Sequence, residues 1–113
     1  MQNKKGLKLN SILLEFSMFP TDVGESKSEY VSAVVKYVKE SGYDYQLTPM
    51  ATIVELPSMS EALNLVKECY EVLESKNCNR IYSVLKFDIR KNKTNRLYEK
   101  IKSVEDIIGT VNK

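Results

Sequence analysis

The sequence of 113 residues contains no histidine and no tryptophan, and only two cysteines, three prolines and four glycines. Without histidine the chain cannot form a Ser-His-Asp or Cys-His nucleophile pair, and it lacks the usual general base near neutral pH. Cys69 and Cys78 alone are too few for a zinc site. Because Cys69 falls on the apolar side of a helical pattern, we interpret it as a small buried hydrophobe. These absences count against an enzyme.

Neither the charge nor the hydropathy of the chain indicates a nucleic acid or a membrane as partner. The net charge of +2 arises from 17 basic and 15 acidic residues that are mixed along the sequence, so no basic surface for nucleic acid is indicated. No apolar run is long enough to cross a bilayer, and the first ten residues lack a following signal-peptide core. We therefore expect a cytoplasmic protein with a flexible tail over residues 1–10 and one domain over residues 11–113.

Hydrophobic periodicity predicts the element order β-α-β-β-α-β-α. Capping boxes at Ser26-x-x-Glu29 and Ser58-x-x-Glu61 predict the starts of the first two helices, with Gly42 and Asn77 at their ends. The predicted strands are Ser11–Phe19, Tyr43–Thr48, Ala51–Leu56 and the alternating segment "RIYSVLKFDIR"; a terminal helix follows in "RLYEKIKSVEDII". Two split βαβ units of this kind predict an α+β ferredoxin-like sandwich with strand order 4-1-3-2, two helices on one face and a C-terminal helix.

In this sandwich the second face of the sheet, the open face, is expected to be uncovered. The pleat assigns alternate residues to it. They are Glu15, Ser17, Gln46, Thr48, Ile53, Glu55, Tyr82, Val84, Lys86 and Asp88. Thr52 points to the helices or begins its strand. Because this face mixes apolar and charged side chains, we expect a partner subunit to cover it.

Two interpretations of the polar residues on the open face remain. They are either cross-strand pairs, such as Glu15 with Lys86, or the lining of a small-molecule pocket. Such a pocket suits a flat, cationic, hydrogen-bonding ligand, because Phe19 or Tyr82 offers a π face to a cation. Three side chains could accept hydrogen bonds from an amino group on the ligand. They are Gln46, Glu55 and Asp88.

The segments "EFSMFP", "SEYV", "YQLTPMATIVE" and "KFDIRKNK" occur in the order found in one family. Over about residues 11–107 the chain resembles the YkoF-like thiamine-binding proteins. The resemblance implies a ferredoxin-like homodimer whose open sheets pack face to face, commonly paired again into a homotetramer. It also implies binding of thiamine, or of its pyrimidine portion, without catalysis and without a cofactor.

The residues that match the motifs and lie on or beside the open face are the binding residues that the resemblance implies. They are Ser17, Gln46, Thr48, Met50, Thr52, Glu55, Lys86 and Asp88. Together with Phe19 and Tyr82 they form the candidate site. The chain departs from the family at Ala51, where relatives commonly have glycine, and the added methyl narrows the space beside a ligand.

Other functions remain as alternatives. A structural or regulatory homo-oligomer without a small ligand would use the same open-face groups to pair across its interface. An acylphosphatase-like enzyme would need arginine in an anion-binding loop, where "FPTDVGES" offers acids. An RNA-binding sheet would need several exposed aromatic side chains on its central strands.

Overall fold

The strands and helices follow one another in the predicted order. The computed structural model describes residues 10–24 and 27–113. The elements are β1 (Asn10–Pro20), α1 (Ser28–Ser41), β2 (Asp44–Leu47), β3 (Thr52–Leu56), α2 (Met59–Glu74), β4 (Ile81–Lys91) and α3 (Arg96–Ile108). Of the predicted tail, only Asn10 belongs to the described residues, and it begins β1.

The four strands form one antiparallel sheet in the order β2-β3-β1-β4. This is the predicted order 4-1-3-2 read from the opposite edge, so the ferredoxin-like topology is confirmed. Strand β1 lies in the interior, opposite β3 through Leu14 and Val54 and opposite β4 through Leu14 and Phe87. The central position of β1 explains why apolar residues occupy most of its length.

Helices α1 and α2 pack on one face of the sheet and enclose the core with it. Strand β1 contributes alternate residues, as its periodicity predicts. The buried core residues of these elements are Ile12, Leu14, Phe16, Met18, Val34, Val38, Val54, Leu56, Ala62, Leu65, Cys69 and Leu73. The interpretation of Cys69 as a buried hydrophobe is confirmed, and burial raises the pKa of its thiol to about 12.

The end of α1 and the start of α2 follow the capping signals, whereas α2 ends at Glu74 with Ser75 at its C-cap, two residues before the predicted Asn77. Gly42 closes α1 with a φ of 88°, a backbone conformation that glycine adopts without steric cost. The Ser58 hydroxyl accepts the amide hydrogen of Glu61 at 3.1 Å and so caps the start of α2. The capping box predicted for α1 includes Ser26, which lies outside the described residues, and Lys27 occupies the N-cap position.

The expectation that the open face is uncovered is wrong for the part of it on which α3 packs. This helix lies against β1, β2 and β3. Beneath it Leu13 is only 8% exposed, and the buried Arg96 begins the helix. Leu97 and Ile101 of the predicted apolar stripe are half-buried. The second half of α3 extends past the sheet and leaves Val104 and Ile108 exposed.

Strand β4 is exposed on both of its faces. Leu85 and Phe87 pair with Phe16 and Leu14, so they point toward the helix side of the sheet as predicted. They nevertheless remain 37% and 36% exposed. The reason is that α1 and α2 pack chiefly on β1, β2 and β3.

Candidate functional site

The part of the open face that α3 leaves free lies at the end of β1 and the start of β4. We call it the open patch, and it consists of three directly opposed cross-strand pairs. They are Glu15 with Lys86, Ser17 with Val84, and Phe19 with Tyr82. The alternation of β1 places these side chains on the face opposite Leu14, Phe16 and Met18.

The charged pair of the open patch joins the Glu15 carboxylate to the Lys86 ammonium at 3.0 Å. The predicted cross-strand pair is therefore confirmed. The Lys86 side chain is 73% exposed and that of Glu15 is 38% exposed. A pair so open to water contributes at most about 1 kcal/mol to stability, so both groups can form bonds to a ligand at little cost to the fold.

The aromatic pair of the open patch lies at its other end. The ring centroids of Phe19 and Tyr82 are 5.7 Å apart, with an angle of 52° between the ring planes. This tilted arrangement is one that aromatic pairs favour. Tyr82 is 54% exposed, so its ring is available to a ligand.

The turn between β2 and β3 forms one wall of the open patch, and two hydroxyl groups hold it in place. The Thr48 hydroxyl accepts hydrogen bonds from the amides of Met50 and Ala51 at 3.2 and 3.1 Å and donates to the Ala51 carbonyl at 2.8 Å. The Ser17 hydroxyl donates to the Met50 carbonyl at 3.0 Å. The Met50 side chain is 85% exposed beside the patch. Thr48, which is predicted to contact a ligand, uses its hydroxyl to shape the turn in this structure.

Two cavities lie beside the turn between β2 and β3, one on each face of the sheet, and Met50 and Ala51 line both of them. The cavity on the open patch has a volume of about 310 Å³, at the lower end of the range for small-molecule sites. It is lined by Glu15, Phe16, Ser17, Met50, Ala51, Val84 and Lys86. Three of the predicted site residues, Ser17, Met50 and Lys86, therefore meet in one cavity.

The second cavity lies on the helix side of the turn and has a volume of about 220 Å³. Its walls include Val31, Val34, Leu47 and Thr52, and none of its lining residues is ionisable. Thr52 is 6% exposed and opposes Phe16, which assigns it to the helix side and resolves the ambiguity of the pleat. This cavity is smaller than usual ligand pockets and has no group to pair with a charged ligand.

Glu55, predicted as a hydrogen-bond acceptor for a ligand, lies beneath α3. Both of its carboxylate oxygens accept the amide hydrogen of Arg96, at 3.0 Å each, and the Ser11 hydroxyl donates to it at 2.6 Å. A carboxylate at a helix N-terminus satisfies free amides and interacts favourably with the helix dipole. Glu55 therefore holds α3 on the sheet, and its role as an acceptor for a ligand stays a prediction.

Asp88 is bound by the same helix. Its carboxylate lies 2.6 Å from Nη2 of Arg96 and 3.5 Å from Nζ of Lys100. The Arg96 guanidinium lowers the pKa of this carboxyl below its usual value of 3.8. Asp88 and Glu55 lie on either side of Leu13, one row away from the open patch. The structure thus separates both carboxylates from the aromatic pair.

Gln46 also lies away from the open patch. It belongs to a third cavity of about 330 Å³ between β2 and α3, whose lining includes Tyr98, Lys102 and Glu105. The ten predicted site residues are thus distributed over the open patch, the helix side of the turn and the underside of α3. Glu15 is the carboxylate that the cavity of the open patch contains.

Arg96 is the residue with a structural role that the sequence interpretation missed. Its Nη1 donates to the carbonyls of Ser11 and Asp88 at 3.2 and 2.9 Å, and the residue is 3% exposed. The available signal was an arginine that follows the polar loop "KNKTN" and begins an amphipathic helix. The periodicity of that helix gives no indication of which strand receives the guanidinium.

Two kinds of site are not found in residues 10–24 and 27–113. These residues contain no group of three or more Cys, Asp or Glu side chains arranged to hold a metal ion. None of the helices in this part of the chain combines the length and the apolar character needed to cross a membrane.

The chain is similar in sequence to proteins from bacteria and archaea. Residues 14–105 match a family model described as thiamine-binding protein. A UPF0045 protein of Mycobacterium bovis is 30% identical over 95 residues, which cover 84% of this chain and 92% of that protein. A UPF0045 protein of Methanothermobacter thermautotrophicus is 30% identical over 98 residues, which cover 86% and 99%.

Two solved structures share the fold. A hypothetical protein of Methanocaldococcus jannaschii superposes with a TM-score of 0.73 at 30% identity, covering 86% of this chain and 98% of its own. A Thermotoga maritima protein, assigned provisionally to thiamine biosynthesis or salvage, superposes with a TM-score of 0.69 at 22% identity. That match covers 83% of this chain and 98% of the other.

Proposed function

The chain belongs to the thiamine-binding protein family, and from this premise we propose that it binds thiamine, or a related pyrimidine or thiazolium compound, on the open patch. The family is named for binding and not for a reaction, and the function we propose is binding without catalysis. The observation that carries the proposal is the Glu15–Lys86 pair at 3.0 Å on the wall of a cavity of about 310 Å³.

The charged pair suits an aminopyrimidine because it offers an acceptor and a donor side by side. The exocyclic amino group of the pyrimidine donates a hydrogen bond, and the adjacent ring nitrogen accepts one. The Glu15 carboxylate accepts from the former and the Lys86 ammonium donates to the latter. Bonds to charged partners are about twice as strong as neutral ones, so this edge fixes the orientation of the ring.

The aromatic pair suits the cationic ring of the same ligand. Phe19 follows Glu15 by four residues on β1, a distance of about 13 Å along the strand. A two-ring ligand laid along the strand extends from the charged pair toward the rings of Phe19 and Tyr82. A cation over an exposed aromatic face gains about 0.5–1 kcal/mol. The cavity on the helix side of the turn is also lined by Phe19, but none of its lining residues is ionisable.

A second subunit completes the site in this proposal. The open patch is shallow, and Val84 and Tyr82 are 45% and 54% exposed on it. Another copy placed over this half of the sheet would bury those side chains and exclude water from the ligand. Within residues 10–24 and 27–113, helix α3 lies against β1, β2 and β3 on the rest of this face, so we propose the open patch as the part that takes part in face-to-face packing.

A homo-oligomer without a small ligand is the second candidate. It is favoured by the fact that Glu15 and Lys86 already pair with one another within the chain. The two candidates differ in whether thiamine changes the stability of the folded protein, since a ligand that binds only the folded state raises it by mass action.

The test is a titration calorimetry and thermal-shift series with thiamine, the aminopyrimidine alone and the thiazole alone. We expect saturable binding of thiamine and a raised melting temperature. Glu15→Gln should lower the affinity for thiamine and for the aminopyrimidine by about tenfold or more, which corresponds to the loss of one charged hydrogen bond. Glu40→Gln, a matched change on the exposed side of α1, should leave both affinities unchanged.

Absence of saturable binding at millimolar thiamine, in a sample shown to be folded, would reject the proposal and leave the homo-oligomer. Binding that Glu15→Gln leaves unchanged would retain the ligand but reject the open patch as its site.

A further inference from the structure

A cavity of about 530 Å³ lies between α3 and the end of β4, and we call it the basic cavity. Its charged lining residues are Asp88, Arg90, Lys93, Arg96, Glu99 and Lys100. Its volume is within the range of small-molecule sites. The basic cavity and the cavity of the open patch have no lining residue in common, so a ligand in one does not compete for the side chains of the other.

Cations outnumber acids in the basic cavity. Four of its lining side chains are cationic and two are acidic, whereas the whole chain has 17 basic and 15 acidic residues. The excess of positive charge in this one cavity therefore equals the net charge of +2 of the entire chain. Because a concave surface lined by one sign of charge concentrates ions of the opposite sign, the basic cavity favours an anionic ligand.

The Asp88 carboxylate does not strongly oppose an anion, because two of the cations bind it. It lies 2.6 Å from Nη2 of Arg96 and 3.5 Å from Nζ of Lys100. Arg96 is 3% exposed and also donates to backbone carbonyls, so it belongs to the floor of the cavity. The Lys100 side chain is 59% exposed, and its contact is longer than a usual hydrogen bond. Lys100 can therefore turn toward a ligand.

Arg90 and Lys93 are exposed cations that make no ion pair in the described part of the chain. Arg90 follows Asp88 by two residues on the same face of β4, a distance of about 7 Å along the strand. Lys93 belongs to the loop between β4 and α3, in which Asn92 and Asn95 have φ values of 62° and 59°. Strand, loop and helix thus each supply a cation to the basic cavity.

We propose that the basic cavity binds a small compound with two linked phosphoryl groups, of which pyrophosphate is the simplest. A guanidinium donates two parallel hydrogen bonds to phosphate oxygens, and an ammonium group pairs with them as a point charge. Arg90 binds one phosphoryl group, and Lys93 and Lys100 neutralise the other. The volume of the cavity and its three separate cations exceed what a single phosphoryl group requires.

Glu99 works against this ligand and therefore provides a test. It lies in the first turn of α3, lines the basic cavity and makes no ion pair in the described part of the chain. A carboxylate so placed repels an anion in the cavity. Removal of this charge should strengthen binding, an effect that loss of a purely structural side chain would not produce.

Titration calorimetry with pyrophosphate, at constant ionic strength and without divalent cations, tests the site. We expect saturable binding at millimolar pyrophosphate. Arg90→Gln and Lys93→Gln should each lower the affinity by about three- to tenfold, because each removes a charged partner of the ligand. Lys39→Gln removes the same charge from the exposed side of α1 and should leave the affinity unchanged. No saturable binding to the folded protein, or equal weakening by Lys39→Gln, would overturn the proposal.

Two further titrations make the test specific. Glu99→Gln should raise the affinity for pyrophosphate by about two- to fivefold, whereas Glu40→Gln on α1 should not change it. An affinity that Glu99→Gln leaves unchanged or lowers would reject the basic cavity as the site. Sulfate, which has a single tetrahedral group, should bind more weakly, and equal affinities for the two anions would reject linked phosphoryl groups as the ligand class.

The two proposed sites can fail separately. Arg90→Gln should leave the affinity for thiamine unchanged, because the open patch and the basic cavity share no lining residue. Failure of the thiamine titration would leave the pyrophosphate site standing, and the reverse also holds. An Arg90→Gln variant that weakens both ligands by the same factor would contradict a separate site for phosphoryl groups.

Discussion

The carboxylate of Glu55 on β3 accepts the backbone amide hydrogen of Arg96, the first residue of α3, on both of its oxygens at 3.0 Å. The two residues are 41 positions apart in the chain. Asn95, at the N-cap position, makes no side-chain capping hydrogen bond. A strand residue thus provides the cap that the helix lacks locally, and it fixes where the helix begins on the sheet.

Glu55→Ala should therefore lower the free energy of unfolding by about 2 kcal/mol, the upper value for loss of a helix cap. The variant leaves the amide of Arg96 and the hydroxyl of Ser11 without their acceptor. Glu55→Gln should cost less, because the amide oxygen can still accept one of these bonds. Urea denaturation of the three proteins measures the differences.

Glu40→Gln on the exposed side of α1 is the control and should change stability by less than about 0.5 kcal/mol. Equal effects of Glu55→Ala and Glu40→Gln would mean that Glu55 does not hold α3.

The sequence predicted the topology and the core because both follow from patterns along the chain. Alternation in β1 assigned Leu14 and Phe16 to the helices, and the capping signal at Ser58 placed the start of α2 correctly. The position of α3 was not predictable in this way. It depends on how Arg96 meets a strand that is remote in the sequence, and helical periodicity contains no information on that contact.

The candidate site was predictable only in part for the same reason. The pleat correctly assigned Glu15 and Lys86 to one face and to one pair. It also assigned Glu55 and Asp88 to that face, but it could not show that α3 would use both. Elements that are not adjacent in the chain compete for the same carboxylates, and only the tertiary structure shows which element binds them.

Arg96→Lys should destabilise the fold although it keeps the charge. The guanidinium reaches the Ser11 and Asp88 carbonyls through Nη1 and the Asp88 carboxylate through Nη2. A lysine ammonium is a single point and cannot span these acceptors. We expect a loss of about 1–3 kcal/mol in the free energy of unfolding, the cost of leaving buried polar groups unpaired.

Chemical denaturation measures the effect of Arg96→Lys. The matched control is Arg90→Lys on the exposed strand β4, which should change stability by less than about 0.5 kcal/mol. A stability of Arg96→Lys equal to that of the unmodified protein would show that charge alone, and not the shape of the guanidinium, holds α3.

Stability should fall on acidification through Asp88. The Arg96 guanidinium lowers the pKa of the Asp88 carboxyl in the folded state below 3.8. As the pH falls, the unfolded state therefore takes up the proton first. The contribution of Asp88 to the free energy of unfolding is complete above pH 3.8, and it is lost as the pH falls through the folded-state pKa. The stability difference between the unmodified protein and Asp88→Asn should be constant near neutral pH and shrink under acid conditions.

Denaturation curves of both proteins across this pH range check the effect of Asp88. Because the carboxylate is 56% exposed, salt should reduce the difference as well. A difference that stays constant into strong acid would contradict the pairing of Asp88 with Arg96.

Tyr82 should distinguish the two rings of the ligand. Its exposed ring lies 5.7 Å from that of Phe19, at the end of the open patch away from Glu15. In the proposed orientation it contacts the cationic thiazolium and not the neutral aminopyrimidine. Loss of a cation–π contact of about 0.5–1 kcal/mol corresponds to roughly a two- to fivefold weaker affinity. Tyr82→Leu should therefore weaken the binding of thiamine by that factor and leave the binding of the aminopyrimidine unchanged, while Tyr70→Leu on α2 should affect neither affinity.

If calorimetry showed that Tyr82→Leu weakens the binding of both ligands equally, the proposed orientation would be reversed or wrong, because a contact with the cation alone cannot alter the affinity of an uncharged ring.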